Sequence, residues 1–123
     1  MSAIQFGTDG IRGKASEFPI DTESIRRIAQ ATISILAKGS TVAIAKDPRK
    51  SGSWIEEIFC SEFSRHGIHS KRCGILPTAA LACVVADIEE CSLGIMITAS
   101  HNPASDNGIK FFSADGSKLH KKQ

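Results

Sequence analysis

Between Thr41 and Thr98 the chain changes period repeatedly: short runs of small or β-branched residues alternate with longer segments whose apolar residues recur at helical spacing. Thr41 to Ala45 (TVAIA) and Leu93 to Thr98 (LGIMIT) read as buried strands, and a further strand is expected near Ile68 to Cys73. Trp54, Ile55, Ile58, Phe59 and Phe63 mark a helix that ends at Gly67, and Pro77 opens a small, apolar helix over TAALACVVADIEE. Strands that alternate with helices must bury apolar surface on both faces of a sheet. The pattern therefore predicts a three-layer α/β/α sandwich with a mixed, mainly parallel sheet.

Upstream, Asp21 or Thr22 can cap a helix whose stripe is Ile25, Ile28, Ala29, Thr32, Ile33 and Leu36, with Gly39 expected to end it. Before it, FGTDGIRG is punctuated by Gly7, Gly10 and Gly13 and reads as a sharp loop between short strands. GIKFF and a hairpin-like SADGSKL close the chain, and the hairpin is expected to supply an antiparallel edge. With 123 residues, 41% of them hydrophobic, residues 1–123 are expected to form one domain.

Fifteen Lys and Arg against thirteen Asp and Glu leave a net charge of +2, interleaved along the chain, so nothing calls for nucleic acid. The basic KLHKKQ end reads as solvated. No apolar stretch approaches the roughly 20 residues that cross a bilayer, and no basic segment followed by an apolar run opens the sequence; a cytoplasmic protein without membrane partners is expected. Cys60, Cys73, Cys83 and Cys91 contain no C-x-x-C pair and sit among apolar neighbours. They are expected to be buried, reduced thiols.

The polar loops KDPRKSG and TASHNPASDNG both follow strands, and in open α/β sheets ligands gather at the carboxyl ends of strands. The second loop contains Ser100. As a hydrolase nucleophile it lacks the flanking glycines of a G-x-S-x-G elbow, having Thr98 and Asn102 instead, and its neighbour His101 has no evident acid to orient it. Phosphoryl transfer asks for an exposed hydroxyl and for cations to neutralise phosphate oxygens. His101, Lys110 on the following strand and Arg12 in the glycine-rich segment meet that need; a phosphorylated Ser100 would bring about −1.5 to −2 charges. Asp47 and Arg49 are expected to hold the loop after the strand, and Asp106 to have a loop role.

FGTDGIRG, DPRKSG and GIMITASHNPASDNGIKFF, in this order, resemble the N-terminal domain of the alpha-D-phosphohexomutase family over nearly the whole chain. The DNGIKFF segment is most similar to the bacterial phosphoglucosamine mutase branch. Ala45 departs from the family's pattern, which has glycine there. The resemblance implies that Ser100 is a phosphoserine that exchanges its phosphoryl group with a hexosamine phosphate, moving phosphate between the 6- and 1-positions through glucosamine 1,6-bisphosphate. It further implies that a phosphate oxygen on Ser100 ligates Mg2+, that His101 and Lys110 line the site as acid-base or phosphate-contacting groups, that Arg12 contacts phosphate, and that Asn102 mainly holds the loop.

The resemblance also implies absent parts. The family holds magnesium through alternating aspartates of a second domain, and the six aspartates here contain no D-x-D pair. Later domains are thus expected to be missing from this chain, leaving the piece by itself nearly inactive. A glucose- or mannose-type mutase domain and a non-catalytic binding module are the alternative readings.

Overall fold

The computed structural model describes residues 11–87, 91–99, 102–103 and 105–113; for Asp87 it describes the backbone only. Along the chain run β1 (Ile11–Lys14), α1 (Thr22–Ser34), β2 (Thr41–Lys46), α2 (Gly52–Arg65), β3 (His69–Ile75), α3 (Thr78–Asp87), β4 (Cys91–Ile97) and β5 (Asp106–Ser113). The strands form one sheet in the order β1-β5-β4-β2-β3. β2 pairs in parallel with β3 and β4, whereas β5 is antiparallel to both β4 and β1. Four strands therefore share a direction and β5 opposes them, a mixed sheet of the expected kind. Its antiparallel strand is GIKFF itself, set inside the sheet; SADGSKL lies outside the described residues after Ser113.

The period-2 side-chain alternation of a strand sorts β2 between two cores. Val42 and Ile44 join Ile25, Ile28, Ile55, Phe59, Phe63, Leu93, Ile95, Ile97, Ile109 and Phe111 beneath α1 and α2. Ala43 and Ala45 face the opposite way, under Leu81 and Val85 of α3 with Met96 and Phe112. Ala45 is fully buried in that second core, so the departure from glycine is a packing change. A register shift between Thr41 and Val42 places Cys91 with the α3 core while Leu93, Ile95 and Ile97 face α1 and α2. The irregularity resets the alternation, as an extra residue in a strand must.

Helix boundaries follow local chemistry. Asp21 caps α1, its Oδ1 accepting from the Ser24 amide at 2.7 Å. α1 stops at Ser34 rather than running to Gly39: the Ser34 hydroxyl bonds back to the Ala31 carbonyl at 2.6 Å, and the Ile35 and Leu36 amides take tight bonds to Thr32 and Ile33. Such back-bonding competes with the next helical turn. Gly39 lies beyond it, at φ +90, and its amide donates to the Gly67 carbonyl. α2 ends as expected at its glycine: Gly67 takes φ +75 and the Ile68 amide reaches the Phe63 carbonyl at 2.9 Å, a Schellman close. Arg26 of α1 meets the buried Glu62 of α2 at 3.3 Å, tying the two helices that cover one face.

The four cysteines are free, but only Cys60 and Cys91 are buried; Cys83 is exposed on the outer side of α3, contrary to expectation. The apolar run around it is that of a short helix whose small residues also face outward. Burial pushes the Cys60 thiol up, keeping it protonated. Among the described residues no helix is long and apolar enough to cross a membrane.

Candidate active site

β2 and β4 are neighbours in the sheet, and the loops leaving their carboxyl ends meet. The Asp47 amide donates to the Ile97 carbonyl at 3.1 Å, which starts the contact. Thr98 Oγ1 then donates to Asp47 Oδ2, and Arg49 Nε donates to the same oxygen at 2.9 Å. From its other side the Arg49 guanidinium donates through Nη1 to the carbonyls of Asn102 (3.0 Å), Pro103 (2.6 Å) and Asp106 (3.2 Å). Ser51 completes the join, its hydroxyl accepting from Asn107 Nδ2 at 2.6 Å in a buried pair. Asp47, Arg49 and Ser51 thus grip successive parts of the chain from Thr98 to Asn107.

This arrangement exceeds the sequence-based expectation that Asp47 and Arg49 hold only their own loop. Burial raises the cost of ionising Asp47, but the hydrogen bonds from Thr98 and Arg49 outweigh it and hold the carboxyl below the usual carboxylate range. Ser51 stands at the N-cap of α2, yet its side chain makes no capping bond to the helix. Its hydroxyl is committed to Asn107 instead. The signal available in the sequence was the D-x-R-x-S spacing next to a strand end; its partners lie too far along the chain to be paired by inspection.

Arg12 is not in a turn. It belongs to β1, paired opposite Gly108 of β5, because Ile11 and Gly13 find ladder partners in Ile109 and Asn107 that the local glycine pattern does not reveal. A side chain on Gly108 would meet Arg12 Cγ at 2.9 Å, the Thr98 carbonyl at 2.7 Å and the Ile11 carbonyl at 2.5 Å. The glycine lets Arg12 lie across the strand, from where its Nη1 donates to Asn102 Oδ1 at 3.3 Å. Asn102 in turn donates to Asp106 Oδ2 at 3.1 Å, so both residues shape the loop.

Lys110 is nine-tenths buried on β5, opposite Met96 of β4. Alternation along β5 turns Gly108 and Lys110 to one face and Asn107 and Ile109 to the other, so Arg12 and Lys110 share the α3 face at diagonal register positions. Ser100 and His101 lie outside the described residues, as do Asp9 and the KLHKKQ end. The described flanks of Ser100 are joined by the Asn102 amide, which donates to the Ala99 carbonyl at 3.0 Å. The site therefore brings Arg12, Asn102, Asp106 and the Asp47–Arg49 pair around the ends of that loop, with Lys110 one strand position beyond Ile109.

A magnesium ion asks for several oxygen ligands free to bind it. Among the described residues no group of three or more His, Cys, Asp and Glu side chains could hold a metal. Asp47 is engaged by Thr98 and Arg49, and Asp106 by Asn102. These residues on their own do not fit a magnesium cage.

Residues 3–123 match the family model described as phosphoglucomutase/phosphomannomutase, alpha/beta/alpha domain I. A phosphoglucosamine mutase from Cupriavidus pinatubonensis is 44% identical over 97% of the chain, and phosphoglucosamine mutase 2 from Shewanella baltica is 43% identical over all of it. A crystal structure of a protein assigned as a phosphomannomutase, from Thermus thermophilus, superposes over 99% of the chain with TM-score 0.86 at 31% identity. The chain spans about 28% of the length of each of these relatives. With three layers, a mixed five-stranded sheet and the linked loops of β2 and β4 all in place, the chain belongs to the phosphoglucomutase/phosphomannomutase family as its domain I.

Proposed function

We propose that this chain is the phosphoserine-bearing domain of a cytoplasmic phosphohexomutase that interconverts glucosamine 6-phosphate and glucosamine 1-phosphate, a step toward cell-wall amino sugars. The observation that carries the reading is the loop at the end of β4: both flanks of Ser100 are pinned, and Arg12 is drawn onto it over Gly108. Pinning suits a hydroxyl that must present a transferable phosphate repeatedly in one place.

In the proposed cycle, the O1 hydroxyl of glucosamine 6-phosphate attacks phosphorus on phospho-Ser100. A new O–P bond forms as the Oγ–P bond breaks, giving glucosamine 1,6-bisphosphate; the O1 hydroxyl proton passes to a base, and the leaving Ser100 Oγ takes up a proton from an acid. Ser100 Oγ, losing its proton to a base, then attacks the 6-phosphorus of the turned bisphosphate; the O6–P bond breaks, and O6 takes up a proton to give glucosamine 1-phosphate and phospho-Ser100. His101 and Lys110 are the candidate proton carriers and phosphate contacts, and Arg12 supplies charge to the moving phosphate. Magnesium would be held by the phosphate on Ser100 together with carboxylates from the remaining domains, its chemistry being charge neutralisation; this chain alone would then be nearly inactive.

Intact-mass and phosphopeptide mapping of the whole protein test the reading. Phosphate on Ser100, and loss of turnover in Ser100→Ala, are expected; an unphosphorylated protein whose activity survives that change defeats it and favours a non-catalytic module. The Thermus likeness supports a second reading as a mannose- or glucose-type mutase. Comparing turnover of glucosamine, glucose and mannose 6-phosphates decides between them.

A further inference from the structure

We propose that Arg49 is the positioning residue of the Ser100 loop, setting the place of the transferred phosphate without touching substrate; this rests on Ser100 being the phosphate carrier. The Arg49 side chain is about nine-tenths buried, and its guanidinium takes three of its acceptors from backbone carbonyls, those of Asn102, Pro103 and Asp106. A carbonyl acceptor is met only when the chain that carries it has one particular shape. The donors of Arg49 are therefore spent on the path of the chain immediately after Ser100. On the opposite side Asp47 links Arg49 to Thr98, so one ion pair governs both flanks of the serine.

The planar fork of arginine is what permits this. It reaches a carboxylate with Nε and carbonyls with Nη1 at once, whereas a lysine ammonium is a point charge that cannot span both. Charge alone is then not enough, and Arg49→Lys separates shape from charge.

In the whole protein, Arg49→Ala is expected to lower kcat about 100-fold and Arg49→Lys about 10-fold, with KM for glucosamine 6-phosphate within about threefold of the parent. Arg49→Lys should keep a melting temperature close to the parent's, and millimolar guanidinium should restore part of the rate to Arg49→Ala but none to Ser100→Ala. A rate in Arg49→Ala within about twofold of an active parent, or an Arg49→Lys enzyme of normal kcat, overturns the proposal. Should the parent neither carry phosphate on Ser100 nor turn over, the functional reading fails instead. Hydrogen exchange then decides for Arg49 by itself. Amides of the peptide 98–106 should exchange at least about tenfold faster in Arg49→Ala while those of β2 and α2 keep their rates; unchanged exchange in that peptide overturns the positioning role.

Discussion

The two faces of the sheet are built from different materials. Under α1 and α2 lie large, branched and aromatic side chains, among them Phe59 and Phe63 with ring centroids 5.8 Å apart. Under α3 the sheet offers Ala43, Ala45 and Gly94, close enough that a Cβ on Gly94 would collide with Val85 Cγ2. The thick face supplies most of the apolar burial. The thin face is where Arg12 and Lys110 lie, so these two cations are placed on the side that contributes less to holding the fold together.

If that division holds, the largest loss of stability comes from the thick face. Phe59→Ala should cost about 3–5 kcal/mol in urea unfolding; a loss below about 1 kcal/mol would mean that the two faces weigh alike. Gly94→Ala acts on the thin face by overpacking and should cost about 1–3 kcal/mol by the same measurement, because Val85 has to move. Asp21→Ala removes the cap of α1 and should cost about 1 kcal/mol at neutral pH. Hydrogen bonds from Ser24 hold the Asp21 carboxyl below its ordinary range, so this contribution is complete above the unfolded carboxylate value. The gap between parent and variant should therefore close as pH falls below about 4; a constant gap contradicts the carboxylate cap. Smallest in stability is Lys110→Met, expected within about 1 kcal/mol of the parent because an isosteric apolar chain can replace a buried charge. Its effect should appear instead in phosphoryl transfer, and a large drop in melting temperature would make Lys110 structural.

Much of the fold was legible because β2, α2, α3 and β4 each repeat one period long enough to be read locally. β1 was not, since the glycines around Arg12 mimic a turn and its strand character comes from a partner on β5. The end of α1 was not legible either, because Ser34 bonds back to Ala31 well before the glycine signal. In the site, Ser100, His101, Lys110 and Arg12 are legible by residue type together with the family resemblance, and of these Arg12 and Lys110 come to one face of the sheet. The joins of Asp47 to Thr98, Arg49 to the loop carbonyls and Ser51 to Asn107 were invisible, each linking residues that only the sheet order makes neighbours.

The pairing of Ile11 with Ile109 has a consequence for biogenesis. It joins residues from nearly opposite ends of the described chain and so carries the largest loop-closure cost of any ladder in the sheet. Arg12 reaches Asn102 only after that closure. A chain still emerging from synthesis can assemble β2, α2 and β3 with their core, but the join of Arg12 to Asn102 waits until β5 has been made and β1 has paired with it.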